Sequence, residues 1–136
     1  MNVRYPFSKF FLNVLDYYHL SLGQLAPVGA ARIMHFEIVC RSFGFDPNLT
    51  AFRRFFQLAK NGDWFTIEKT MVESAVISGT VGHTAPWKDR FFFISWKLLP
   101  FASKRDLHAS LNAPPPDASL INTTLLDTLR SFSSKL

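Results

Sequence analysis

The sequence predicts an α+β domain in which three N-terminal amphipathic helices pack on a small antiparallel sheet. Two observations predict this class. Apolar residues recur every three to four positions through the first 60 residues, which is the period of an α-helix with one buried face. After Gly62 the pattern changes to short runs of aromatic and β-branched residues, which favour strands. Helices followed by strands along the chain are typical of the α+β class.

The first two helices have clear boundary signals. The apolar stripe of the first helix runs over residues 7–18, and Ser8 is its predicted N-cap because a serine hydroxyl accepts from an amide of the first turn. The second helix begins at Pro27, since the first turn of a helix does not need the missing N–H. Gly44 ends it, because glycine readily adopts the left-handed conformation of a helix C-terminus.

A third helix is predicted between Asp46-Pro47 and Asn61-Gly62, which are start and stop signals. Its apolar residues follow the helical period up to the stop signal. They are Leu49, Phe52, Phe55, Phe56 and Ala59.

Three strands are predicted after this helix. The run Trp64–Lys69 has the required aromatic and β-branched content, residues 75–78 form a second short run, and residues 90–96 are typical of a buried strand. Residues 1–98 therefore form the predicted domain, and residues 99–136 form a tail that contains three consecutive prolines. A short helix is expected at the end of this tail, with Asn122 or Thr123 as its N-cap.

Composition excludes several classes of protein. The chain has 136 residues, a formal net charge of +5 and one cysteine, Cys40, so it cannot form an internal disulfide or a multi-cysteine zinc site. Its most apolar run, residues 91–101, is interrupted by Lys97 and is shorter than the roughly 20 residues that span a bilayer. We therefore expect no membrane association and an intracellular protein, in either the nucleus or the cytoplasm.

No catalytic, cofactor-binding or metal-binding residues are predicted. Cys40 lies on the apolar stripe of the second helix, and His35, five residues earlier, points in another direction on an ideal helix. We interpret this cysteine as a core residue. The four histidines lack metal-ligand spacing, and the carboxylates do not form the acidic constellation that holds two metal ions in enzymes that cut DNA. We therefore expect a protein that is not an enzyme and has no cofactor.

Basic residues interleaved with aromatic residues raise an alternative, because such patterns can follow a phosphate backbone and stack bases. The interpretation favoured here is that the aromatic residues form the core and the basic residues are their solvated neighbours. The candidate nucleic-acid-binding residues are Arg53, Arg54, Lys88, Arg90, Lys104 and Arg105.

Several blocks of sequence occur in an order that resembles a known family. They include PFSKFF at residues 6–11, LGQLAP at residues 22–27, HFEIVCRSFGFDP at residues 35–47 and WKDRFFF at residues 87–93. Over roughly residues 5–97 the chain resembles the plant "putative gypsy-type transposon" family, and several blocks in succession are more specific than any single short motif. The resemblance implies a Gag-like or accessory protein of a Ty3/gypsy-like retrotransposon. The resemblance implies no catalytic residues. The sequence departs from the family pattern at both of its ends, which implies a truncated copy.

Together these observations predict a non-catalytic structural or interaction module that binds a protein partner or associates with itself. Surplus apolar surface on its helices would drive that association. The alternative function is nucleic-acid binding through the basic residues near Arg53 and Arg54 and between residues 88 and 105.

Overall fold

The computed structural model describes residues 7–73 and 114–134, and within them four α-helices accompany a two-stranded antiparallel sheet. This arrangement confirms the predicted α+β class, with three helices before the strands and one helix near the end of the chain. In chain order the elements are α1 (Lys9–Tyr17), α2 (Pro27–Ser42), α3 (Leu49–Phe55), β1 (Phe56–Asn61), β2 (Trp64–Lys69) and α4 (Thr123–Ser134).

The predicted boundary residues of the helices are confirmed. The Ser8 side chain accepts a hydrogen bond from the Phe11 amide at 3.1 Å, and Pro27 occupies the first turn of α2. Gly44 has a φ of +81° just beyond the end of α2, a conformation that glycine adopts without strain. Of the two N-cap candidates for α4, the structure selects Asn122, whose Oδ1 accepts from the Leu125 amide at 3.1 Å.

The third helix is shorter than predicted. It ends at Phe55, and Phe56 begins strand β1, so the prediction that Phe56 and Ala59 are helical is wrong. The reason is tertiary: the Thr70 hydroxyl donates to the Arg54 carbonyl at 2.7 Å, and the Thr70 amide donates to the Phe55 carbonyl at 2.9 Å. These bonds satisfy two carbonyls at the end of α3, which would otherwise lack partners, and they let the chain leave the helix.

Strand β2 has the predicted bounds, and its partner is a strand that the sequence analysis did not predict. It pairs with β1 in a hairpin, with Leu58 opposite Ile67 and Asn61 opposite Trp64. The two-residue loop begins with Gly62 at a φ of +63°, as tight hairpin turns require. The strands predicted at residues 75–78 and 90–96 lie outside the described residues.

Phenylalanine rings form the centre of the core between α1, α2, α3 and the sheet. Phe11, Phe36, Phe52 and Phe55 are all less than 2% exposed. The Phe36 ring meets Phe52 edge to face, with centroids 5.3 Å apart, a favourable geometry for aromatic pairs.

Helix α4 packs on the same hydrophobic cluster through Leu125 and Leu129, and Phe132 contacts Phe43 beyond the end of α2. The division predicted at residue 98 lies outside the described residues. None of the described helices has the length and apolar character that crossing a membrane requires.

We expect Leu129→Ala to lower the free energy of unfolding by about 2–5 kcal/mol, because it removes a fully buried side chain and leaves a cavity. Urea unfolding followed by circular dichroism measures this loss. Leu120→Ala is the matched control, since Leu120 is 70% exposed and should change stability by no more than about 0.5 kcal/mol. Equal losses in both variants would contradict the docking of α4.

Candidate functional site at the edge of strand β1

Two of the six candidate nucleic-acid-binding residues, Arg53 and Arg54, lie within the described part of the chain. They occupy the last turn of α3 and contact different partners, as expected for neighbouring residues whose side chains point about 100° apart on a helix. The other four lie outside the described residues. They are Lys88, Arg90, Lys104 and Arg105.

Arg54 is part of a structural ion-pair cluster. Its Nε donates to Glu73 at 3.1 Å, and its Nη1 donates to the Pro116 carbonyl at 3.0 Å. Glu73 also accepts from the Nε of Arg130 at 3.0 Å, and its side chain is only 7% exposed. We call Arg54, Glu73 and Arg130 the Glu73 cluster; it links α3, the segment after β2 and α4.

Arg53 lies on the other side and faces a tyrosine pair. Its guanidinium carbon is 4.6 Å from the centre of the Tyr17 ring, a favourable cation–π geometry. Burial raises the pKa of the neighbouring Tyr18 to about 12, while the positive charge of Arg53 acts in the opposite direction. Among the described residues no carboxylate forms an ion pair with Arg53.

The outer edge of β2 is covered by α2 and the residue before it. The Phe65 carbonyl accepts from the Ala26 amide at 2.7 Å, and the Ile67 carbonyl accepts from Nη1 of Arg32. These carbonyls therefore point away from β1.

The outer edge of β1 is open in the described part of the chain. Leu58 lies opposite Ile67 and Lys60 lies opposite Phe65, and in an antiparallel pair opposed residues share the same orientation of their backbone groups. The N–H and C=O groups of Leu58 and Lys60 thus point outward, and no backbone group of residues 7–73 or 114–134 bonds to them there.

A shallow cleft runs beside this edge. Its volume is about 260 Å³, open solvent included. Arg53 and the outward side of β1 therefore share one concave surface, which we call the β1-edge cleft. The residues that line it are Tyr18, Arg53, Phe56, Gln57, Leu58, Thr70 and Pro114.

Cys40 is a core residue, as the sequence predicts. It is fully buried, and burial raises the pKa of its thiol to about 12, so the reactive thiolate is scarce at neutral pH. Within the described residues no group of three or more histidine, cysteine or carboxylate side chains is placed to hold a metal ion.

Sequence reasoning missed the β1 edge because it assigned these residues to a helix. Two local signals pointed to a strand instead. Phe56, Gln57 and Leu58 alternate between apolar and polar, and Asn61-Gly62 is a strong hairpin signal. Burial alternates with the same two-residue period over residues 56–59.

Comparison with known families supports the N-terminal part of the resemblance seen in the sequence, and the block at residues 87–93 lies outside the match. Residues 1–60 match the model of the family described as "Putative gypsy type transposon". The matched segment contains α1, α2, α3 and most of β1, so it includes Arg53 and the open edge. The chain matches no curated protein and no solved structure.

Glu73→Gln should remove part of the acid sensitivity of the fold. Hydrogen bonds from Arg130 lower the pKa of Glu73 from its ordinary value of 4.5, with a smaller contribution from Arg54. A carboxyl with a lowered pKa stabilises the folded state above about pH 4.5, and this stabilisation is lost as the pH falls through the folded-state pKa.

We therefore expect the stability difference between wild type and Glu73→Gln, about 1–3 kcal/mol at pH 7, to shrink below that pH. Denaturant unfolding between pH 3 and 7 measures it, with Glu68→Gln, an exposed site on β2, as the control. Parallel pH profiles for wild type and Glu73→Gln would contradict this role.

The single thiol should resist alkylation in the folded protein. Because Cys40 is fully buried and its pKa is raised, we expect iodoacetamide to modify it at least about 100-fold more slowly than in denaturant. Mass spectrometry of timed samples gives the two rates. Fast modification of the folded chain would show that the apolar face of α2, which carries Cys40, is accessible to solvent.

Proposed function

We propose that this chain is a non-catalytic protein-interaction module, related to gypsy-type transposon proteins, that binds a partner chain at the open edge of β1. The observation that carries the proposal is the outward orientation of the backbone groups of Leu58 and Lys60 beside the β1-edge cleft. An unpaired strand edge is a template for another strand, and main-chain hydrogen bonds supply affinity in strand addition.

The edge is held in place before any partner binds. Phe56 and Leu58 are 2% and 3% exposed, so the side chains of β1 anchor the strand in the core while its backbone faces outward. Thr70 fixes the start of the strand through its bonds to the end of α3. A preorganised edge avoids part of the entropy cost of ordering on binding.

The family match supports the transposon-related part of the proposal. Residues 1–60 carry both the three helices and the strand whose edge is open. A Gag-like or accessory role in a retrotransposon-derived protein is consistent with a module that acts by assembly with other chains.

Nucleic-acid binding remains the second candidate function, and Arg53 favours it. Arg53 lines the cleft, and its guanidinium lies over the Tyr17 ring without a carboxylate partner among the described residues. Arg54 favours it less, because its guanidinium already binds Glu73 and the Pro116 carbonyl.

Lys60→Pro should abolish association of the chain at the β1 edge. Proline removes an outward N–H of β1 without removing a hydrogen bond of the hairpin, because the backbone groups of Lys60 point away from β2. Lys69→Pro is the matched control on the opposite edge, where the backbone also points outward. Light scattering over a concentration series should show an average molar mass that rises with concentration for the wild type and Lys69→Pro but not for Lys60→Pro.

The same samples, titrated with labelled single- and double-stranded nucleic acid at several salt concentrations, test the second candidate function. Under the proposal, binding is weak at every salt concentration. Affinity that falls steeply with salt, shown by a chain of constant mass, would replace the proposal with nucleic-acid binding, since phosphate contacts release counterions.

A further inference from the structure

The partner that fits the β1-edge cleft best is a second copy of this chain. We infer that two copies pair antiparallel through their β1 strands, around a two-fold axis at Leu58, with Arg53 of each copy bound to Asp63 of the other. This inference rests on the proposed function and names its partner.

The orientation of the backbone groups determines the register. The backbone N–H and C=O groups of Phe56, Leu58 and Lys60 point outward. An antiparallel pair requires residues with outward backbone groups to lie opposite each other. Centring the axis on Leu58 places Leu58 opposite its equivalent and Phe56 opposite Lys60, so residues 56–60 of the two strands overlap. Axes at Gln57 or Ala59 also satisfy the orientation rule, but of the three only the axis at Leu58 brings Asp63 level with Arg53 of the second copy.

The hydrogen bonds of this register use groups that have no described partner. Leu58 exchanges two bonds with its equivalent, and the Lys60 amide donates to the Phe56 carbonyl of the second copy. The Phe56 amide is not required, and it already donates to the Phe52 carbonyl inside its own chain.

Charge complementarity supports the second copy as the occupant. In this register the Gly62-Asp63 turn of one copy lies beside the end of α3 in the other, where Arg53 lines the cleft. Asp63 is exposed at the tip of the hairpin, and no described residue forms an ion pair with it. Each copy thus supplies a cation and an anion that have no ion-pair partner among the described residues.

The two-fold geometry predicts a closed dimer. An isologous interface uses the same patch on both copies, so pairing at β1 leaves neither copy with an unpaired β1 edge. The opposite edge of the sheet is covered by Ala26 and Arg32 and offers no site at these positions for a third chain.

Charge reversal tests the inference on the full-length chain. Arg53→Asp and Asp63→Arg should each weaken the dimer, and the double variant should restore it, because the reversed charges meet again across the axis. Asp63→Asn should raise the dimer dissociation constant roughly 2- to 30-fold, the range for losing two exposed ion pairs. Asp127→Asn, an exposed site on α4, is the control and should leave the constant unchanged.

Sedimentation equilibrium supplies the mass and the dissociation constant, and thermal unfolding confirms that each variant is folded. The Asp63 variants keep the test decisive if Arg53→Asp does not fold, since Asp63 lies in an exposed turn. Restoration of the dimer in the double variant, with a mass of two chains, is the expected result.

One outcome overturns the inference while leaving the proposed function in place: a dimer that Lys60→Pro dissociates but charge reversal does not affect. A wild-type chain that stays monomeric, or a dimer that Lys60→Pro does not affect, would overturn both the inference and the proposed function.

Discussion

Thr70 determines where helix α3 ends, and the rest of the described fold depends on that point. Its hydroxyl and amide bind the Arg54 and Phe55 carbonyls, which lack partners inside the helix. With these groups satisfied, the chain can extend from Phe56, place alternate side chains in the core and pair with β2. If α3 continued through residue 61, the hairpin, its open edge and the adjoining cleft could not form.

The Glu73 cluster then connects the two described parts of the chain. One carboxylate binds two guanidinium groups, from α3 and from α4, so removal of the carboxylate would leave two positive charges close together. Desolvation offsets much of the Coulomb attraction in such a cluster, so its net contribution to stability is smaller than the cost of removing one partner. The burial of Leu125 and Leu129 supplies the larger stabilising contribution at the same contact.

The packing that closes one edge of the sheet leaves the other without a hydrogen-bonded partner among residues 7–73 and 114–134. Helix α2 crosses β2 closely enough that a side chain at Gly29 would come within 3.1 Å of the Ile67 backbone nitrogen, and Ala26 and Arg32 bind the outward carbonyls of β2. Along β1 the neighbouring surface is concave and positively charged at Arg53. A short edge beside a charged cleft is compatible with selective pairing, since it limits which strands can bind.

The sequence by itself determined the helix boundaries at Ser8, Pro27 and Gly44, the bounds of β2 and the core position of Cys40. These features depend on local capping, backbone preference and apolar period, which a short stretch of chain contains. Only the tertiary structure decided that residues 56–61 form a strand, because Gln57, Leu58, Ala59 and Lys60 are also good helix formers and Thr70 and β2 select between the two. Tertiary structure likewise separated Arg53 from Arg54: the two are neighbours in sequence, but the partners of Arg54 are Glu73 and Pro116, and contacts over such distances along the chain leave no local pattern.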